Sequence, residues 1–169
     1  MGKRSNFARA PRDLYPTPAA AVTPLLPHLS PGTRYTEPCA GDGALIRHLA
    51  AAGHQCVWAS DIVPLAPGIA QMDAMDAPLV GDCVLTNPPW DRAVLHPMIE
   101  RFEWAWLLFD ADWVHTRQSA RFMPRLHKIV SVGRVKWIPD SKMTGKDNCA
   151  WYLFGPERDV APEFYGRVG

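Results

Sequence analysis

The chain has 169 residues, 47% hydrophobic and 21% charged, which is the composition of an ordinary globular protein large enough for one domain with a real core. Its net charge of +1 announces no global field for a polyanion. Its longest apolar runs are far too short to cross a bilayer and no signal-peptide pattern opens it, so a cytoplasmic protein is expected.

Residues 1 to 12 hold Lys3, Arg4, Arg9 and Arg12 and no acid. Seven of the 17 prolines fall between positions 11 and 38, which predicts an extended basic arm over 1–32 with a broken helix near Ala19 to Leu29. Thr33 to Thr36 reads as a strand. It runs into the glycine-rich turn Glu37-Pro38-Cys39-Ala40-Gly41-Asp42-Gly43-Ala44, and Leu45 to Ala52 reads as a helix closed by Gly53. A second strand, Gln55 to Ser60, ends at Asp61, 18 residues after Gly43. Residues 69 to 80 read as a short strand and a loop. The apolar run Asp82 to Thr86 reads as a buried strand leading into Asn87-Pro88-Pro89-Trp90, and Asp91 is placed to cap a helix from about Arg92 to Arg101. Trp104 to Phe109 is a fifth strand, and Ser119 to Arg125 a helix. Ile129 to Trp137 and Cys149 to Phe154 read as the last two strands, a closing antiparallel hairpin. Strand–helix alternation of this kind predicts an α/β fold with a mostly parallel, seven-stranded sheet over 33–155, helices on both faces and a tail over 156–169.

Two motifs carry chemistry. The prolines of Asn87-Pro88-Pro89-Trp90 cannot continue a ladder, so they stiffen a loop holding an amide, a carbonyl and a flat ring in fixed relation, a geometry suited to gripping a planar amino group. The glycine turn lets a ligand approach the backbone, and an acid at the end of the second strand is placed to accept hydrogen bonds from ribose hydroxyls. Together they point to an adenosine-bearing cofactor. Other constellations carry less. Cys39, Cys56, Cys83 and Cys149 lack Cys-x-x-Cys spacing and read as reduced thiols. Asp110 and Asp112 have no third metal ligand nearby, the six histidines lack zinc spacing, and Gly145-Lys146 lacks the rest of a phosphate loop. Residues 121 to 146 are basic, with Arg121, Arg125, Lys128, Arg134, Lys136, Lys142 and Lys146 against Asp140 alone. This segment is either a phosphate-facing surface or a solvated one.

In order and content these segments resemble the S-adenosylmethionine-dependent amino-methyltransferases of the DNA adenine type, and above all the small enzymes carried by phages and prophages. The resemblance spans roughly residues 13 to 155. It implies the class I methyltransferase, Rossmann-like fold and S-adenosyl-L-methionine as cofactor. Tyr15-Pro16-Thr17-Pro18 matches a segment near the cofactor's methionine end. Thr17 would either touch the cofactor carboxylate or cap the helix starting at Pro18. Glu37, Cys39, Gly41 and Gly43 match the cofactor turn, Asp61 and Ile62 the ribose side, and Asp73 and Ala74 the adenine side, where Asp76 competes with Asp73. Asn87, Pro88 and Trp90 match the catalytic loop, with Trp90 stacking on the flipped base. Pro89, Arg92, Lys142 and Lys146 fall where substrate is contacted. No metal, membrane or separate target-recognition domain is implied, so sequence specificity should be short or relaxed. The expected partner is DNA, with RNA possible, and the protein a monomer or homodimer. An RNA or protein amino-methyltransferase using the same loop, or a non-catalytic cofactor- or DNA-binding protein, are the alternatives.

Overall fold

The computed structural model describes residues 15–138 and 144–167. The basic arm over 1–12 and Lys142 therefore lie outside the described residues. Eight strands form one sheet: β1 (Arg34–Glu37), β2 (Gln55–Asp61), β3 (Ala70–Gln71), β4 (Cys83–Thr86), β5 (Ala105–Asp110), β6 (Leu126–Arg134), β7 (Asn148–Phe154) and β8 (Glu163–Tyr165), in the order β3-β2-β1-β4-β5-β7-β6-β8. β1 to β5 run parallel, and β7 pairs antiparallel with both β5 and β6. The expected closing hairpin is present.

The count is eight strands rather than seven. The segment expected to be a tail supplies β8, which pairs parallel to β6 with Ile129 opposite Phe164. Three residues with an exposed Phe164 leave no periodic signal, so only the pairing defines this strand. β6 also begins three residues earlier than the hydrophobic pattern suggests and stops at Arg134. Its register shifts between Ser131 and Gly133, where Gly133 adopts φ +83°, a left-handed bulge conformation, and the ladder then ends at Arg134 opposite Asn148. Val135, Lys136 and Trp137 follow the strand, and the Val135 carbonyl accepts from the Gly145 N–H at 2.7 Å.

Both faces of the sheet are covered, which suits near-continuous apolar runs in parallel strands. All of Ala105 to Phe109 is buried. One face packs Met98, Phe102, Phe109, Trp113, Tyr152 and Phe154 together. The other packs Leu25, Tyr35, Leu45, Leu49, Trp106 and Trp151. Each fully buried large side chain contributes about 1.5–3 kcal/mol relative to exposure. Trp151 also donates its indole N–H to the Ala21 carbonyl at 2.8 Å, fastening the N-terminal helix α1 (Ala19–Val22) to the sheet. The expected break follows α1, and a 3₁₀ turn occupies Leu26–His28.

Helix α2 (Ala44–Ala51) follows the glycine turn, and α3 (Arg92–Arg101) follows the Asn-Pro-Pro-Trp loop. Asp91 caps α3 by accepting from the Ala93 N–H at 2.9 Å. The helix expected at 119–125 is a 3₁₀ helix over Arg117–Arg125, with Pro124 inside it.

The chain lays β2 and β3 on one side of β1 and then returns to place β4 on the other. The carboxyl ends of β1 and β4 thus flank the point where strand order reverses, the crevice where open α/β sheets bind ligands. Glu37 ends β1, Asp61 ends β2 and Asn87 follows β4.

Candidate active site

A cavity of about 380 Å³ occupies this crevice. Tyr15, Thr17, Glu37, Cys39, Gly41 and Asp61 line it, as do Ile62, Asp73, Ala74, Asn87 and Pro89. Gly43 does not. It holds the N-cap of α2 at φ +76°, and a Cβ there would meet only ordinary contacts, so the turn needs glycine for its backbone angle rather than for ligand clearance. Pro88 is buried, and neither it nor Trp90 lines the cavity. Asp73 lines it and Asp76 does not.

The turn is held by Asp61. Its Oδ2 accepts from the Gly41 N–H at 2.8 Å and its Oδ1 from the Val63 N–H at 2.8 Å, while Ala40 N–H donates to the Ser60 carbonyl. The strand-end acid is therefore a clamp between the glycine turn and β2, with lone pairs left over for a ligand. On the adenine side expected from the sequence, Asp73 Oδ1 accepts from the Met75 N–H at 2.8 Å, and Arg101 of α3 donates to the Met75 and Ala77 carbonyls. This fixes the loop over 73–77 against α3.

Glu37 is the anomaly. It is 1% exposed, and its Oε2 has no hydrogen-bond partner. Burial, and then the charges of Asp61 and Asp42, push its carboxyl well above the usual range. A buried, unpartnered carboxyl is costly unless a ligand completes it. Glu37, Asp42, Asp61 and Asp73 put four carboxyl groups on the cavity, and among the described residues no lysine or arginine lines it. That charge pattern repels the phosphates of an ordinary nucleotide and favours a cationic ligand. S-adenosyl-L-methionine, which carries an ammonium and a sulfonium, fits this acid-lined donor set.

Burial, followed by the charges of Asp61 and Glu37, pushes the Cys39 thiol up, away from the reactive thiolate form.

Across the cavity, Asn87 is fixed by two neighbours. Its Nδ2 donates to Thr17 Oγ1 at 3.1 Å, and Trp90 Nε1 faces its Oδ1 at 3.4 Å. An indole N–H only donates, so it settles which side of the amide carries the oxygen. The long approach leaves that oxygen able to accept another hydrogen. Thr17 does not cap α1. The N-cap is Pro18, which lacks a side-chain cap bond, and the Thr17 hydroxyl is directed to Asn87 instead.

The rim beyond Asn87 is aromatic. Trp90 meets Trp137 edge to face at 5.8 Å and 83°, and Tyr15 lies 6.4 Å from the Trp137 ring. Gly145 packs on Trp137, where a Cβ would come within 2.9 Å of the ring. Sequence reasoning missed Trp137 because it read as the last residue of a strand. A tryptophan following a glycine-kinked strand end was the available signal.

The remaining substrate-side residues are dispersed. Arg92 opens α3 at the surface, and Lys146 is exposed in the loop ahead of β7. Among the described residues, Arg125 and Lys128 of the basic segment are engaged within the protein. Arg125 is used internally, donating to the carbonyls of Ile99, Glu100, Phe102, Glu103 and Gly155. Lys128 lies 4.0 Å from Glu163 and over the Tyr165 ring. Among the described residues, no cluster of three or more His, Cys, Asp or Glu side chains is arranged to hold a metal ion, and no helix is long and apolar enough to cross a membrane.

No family model and no curated protein matches this chain. Solved structures do. A protein from Pyrococcus horikoshii, provisionally described as an RNA methyltransferase, is 20% identical, with a TM-score of 0.56 over 85% of this chain and 88% of that one. A Thermoplasma acidophilum protein is 17% identical, with a TM-score of 0.57 over 82% and 83% of the two chains. The fold is one that methyltransferases use. The modification subunit of a provisionally assigned type I restriction enzyme from Vibrio vulnificus YJ016 is 12% identical, with a TM-score of 0.53 over 90% of this chain and 46% of that longer one. At these identities the likeness is one of fold, and residue roles rest on the geometry of the cavity.

Proposed function

We propose that the protein transfers a methyl group from S-adenosyl-L-methionine to the exocyclic amino group of adenine in DNA, with short or relaxed sequence specificity. The observation that carries this reading is the meeting of two half-sites. An acid-lined cavity with the unpartnered Glu37 carboxyl suits a cation, and it opens onto an asparagine amide whose oxygen is oriented by Trp90 and whose nitrogen is held by Thr17.

The cofactor, when bound, supplies a methyl group on a good leaving group. The chain's own residues do the rest. Glu37 accepts the ligand's ammonium, and Asp61 and Asp73 accept from its ribose and adenine ends. Asn87 Oδ1 and the Pro88 carbonyl accept the two hydrogens of the target amino group. An adenine amino nitrogen is a poor nucleophile because its lone pair is delocalised into the ring. Two acceptors on its hydrogens draw it toward tetrahedral geometry and free that lone pair, so alignment and fixed dipoles supply most of the catalysis. Trp90 and Trp137 offer aromatic surface for a base taken out of its stack, each such contact being worth about 1–3 kcal/mol.

A second reading, the same chemistry on RNA, is favoured by the likeness to the Pyrococcus horikoshii protein, which runs nearly the full length of both chains. Transfer of tritiated methyl groups to duplex DNA, single-stranded DNA and RNA, followed by nucleoside mass spectrometry, separates the two. N6-methyladenine in DNA is the expected product. N6-methyladenine in RNA alone would move the substrate, and transfer to neither polymer would remove the proposal.

A further inference from the structure

A second concavity, of about 590 Å³, adjoins the first. It is an open groove between the start of α3 and the 3₁₀ helix Arg117–Arg125, and Ala93 lines both it and the cofactor cavity. Arg92, His96, Arg117, Gln118 and Arg121 make its wall, with no carboxylate. The two concavities thus have opposite character within one residue of each other. One is acid-lined and suits a small cation; the other is arginine-lined and suits an anion.

The three arginines are all exposed and differ in what they touch. Arg92 Nη1 donates to Gln118 Oε1 at 2.8 Å, which braces α3 against the 3₁₀ helix. Arg121 lies over the Phe122 ring at 4.5 Å and pairs with Glu100 at 3.1 Å, in an ion pair exposed enough to be weak. Arg117 has no partner among the described residues and is exposed. His96 Nε2 faces the Trp113 indole N–H at 3.1 Å, so it acts as acceptor and the ring is a neutral Nδ1–H tautomer. Burial and then the charges of Arg121 and Arg92 lower its pKa, which agrees with a neutral ring. The positive charge of the groove therefore comes from the three arginines.

Resting on the reading of the first site as a nucleic-acid amino-methyltransferase, we propose that Arg92, Arg117 and Arg121 bind phosphates of the substrate strand beside the target nucleotide. The forked guanidinium matches a phosphate's paired oxygens. Only the groove's position next to the Asn87 loop is needed to make those phosphates neighbours of the reacting base.

The test is the salt dependence of binding, measured by fluorescence anisotropy with a labelled DNA oligonucleotide, single-stranded and duplex, and an RNA of the same sequence. Each phosphate contact contributes about 0.7 to the log–log slope for a single strand and about 0.9 for a duplex. Arg117→Gln and Arg121→Gln should each flatten the slope by roughly one contact, and Arg117→Lys should keep it. Unchanged cofactor titration in each variant shows that the fold is intact. If the parent binds and methylates a nucleic acid while both glutamine variants keep its slope, the groove proposal fails and the first site stands. If the parent binds neither DNA nor RNA, the nucleic-acid reading fails and the groove's role goes with it. Displacement of the oligonucleotide by polyglutamate at equal charge concentration would assign the groove to acidic proteins and overturn the proposal.

Discussion

Glu37 and Asn87 face the same cavity but are maintained in opposite ways. Asn87 has both ends of its amide engaged, whereas Glu37 has a buried oxygen with nothing to accept. Because the folded Glu37 carboxyl is raised above its unfolded value, it favours folding fully below the unfolded pKa. That contribution is lost as pH rises through the folded pKa. A bound ammonium reverses the situation, since it needs the carboxylate. Glu37→Gln is therefore expected to raise the melting temperature of the ligand-free protein near neutral pH. The same change should weaken S-adenosylmethionine by about 1.5–3 kcal/mol, the scale of a hydrogen bond to a charged group. Affinity in the parent should increase with pH until Glu37 is ionised, with proton release on binding, and the variant should lose that dependence. Calorimetric titration in buffers of different ionisation enthalpy reads both effects. Equal proton release in parent and variant would take Glu37 out of the cation site.

Among the elements, the glycine turn and β2 are joined through one carboxylate. Asp61 binds the backbone N–H groups of Gly41 and Val63 and is 9% exposed. Asp61→Ala should thus do two things that a pure ligand contact would not. It should weaken the cofactor by about 1.5–3 kcal/mol, and it should destabilise the free protein by about 1–3 kcal/mol through orphaned amides. Urea unfolding without ligand separates the two, and unchanged stability would mean that the clamp is dispensable. This turn was legible in the sequence because glycine spacing, strand end and acid are all local signals. Thr17's partner was not legible, since it lies 70 residues away. Arg125 read as a surface charge, yet its fork is consumed by carbonyls at the end of α3 and after β7. Only tertiary packing brings those carbonyls together. β8 escaped notice for the same reason, and β6 stops at Arg134, where hydrophobicity alone would have extended it to Trp137.

At the scale of the whole molecule, the sheet's reversal of strand order between β1 and β4 puts an acid-lined cavity and the Asn87 loop, proposed as its cation-binding and amino-gripping halves, in one crevice. Strand–helix alternation revealed the parallel sheet and its closing hairpin in advance. The division of charge between an acid-lined cavity and an arginine-lined groove was hidden, because the net charge is only +1. The central claim is that these two halves form one active site. Single-turnover methyl transfer by Asn87→Ala at saturating S-adenosylmethionine tests it most directly. Cofactor affinity should stay close to that of the parent, because the Asn87 amide is directed at the target amino group. Transfer should slow by at least about 10²-fold, the typical loss of one aligned polar group in the transition state. Transfer at the parental rate with cofactor bound would contradict the account and place the chemistry elsewhere on the protein.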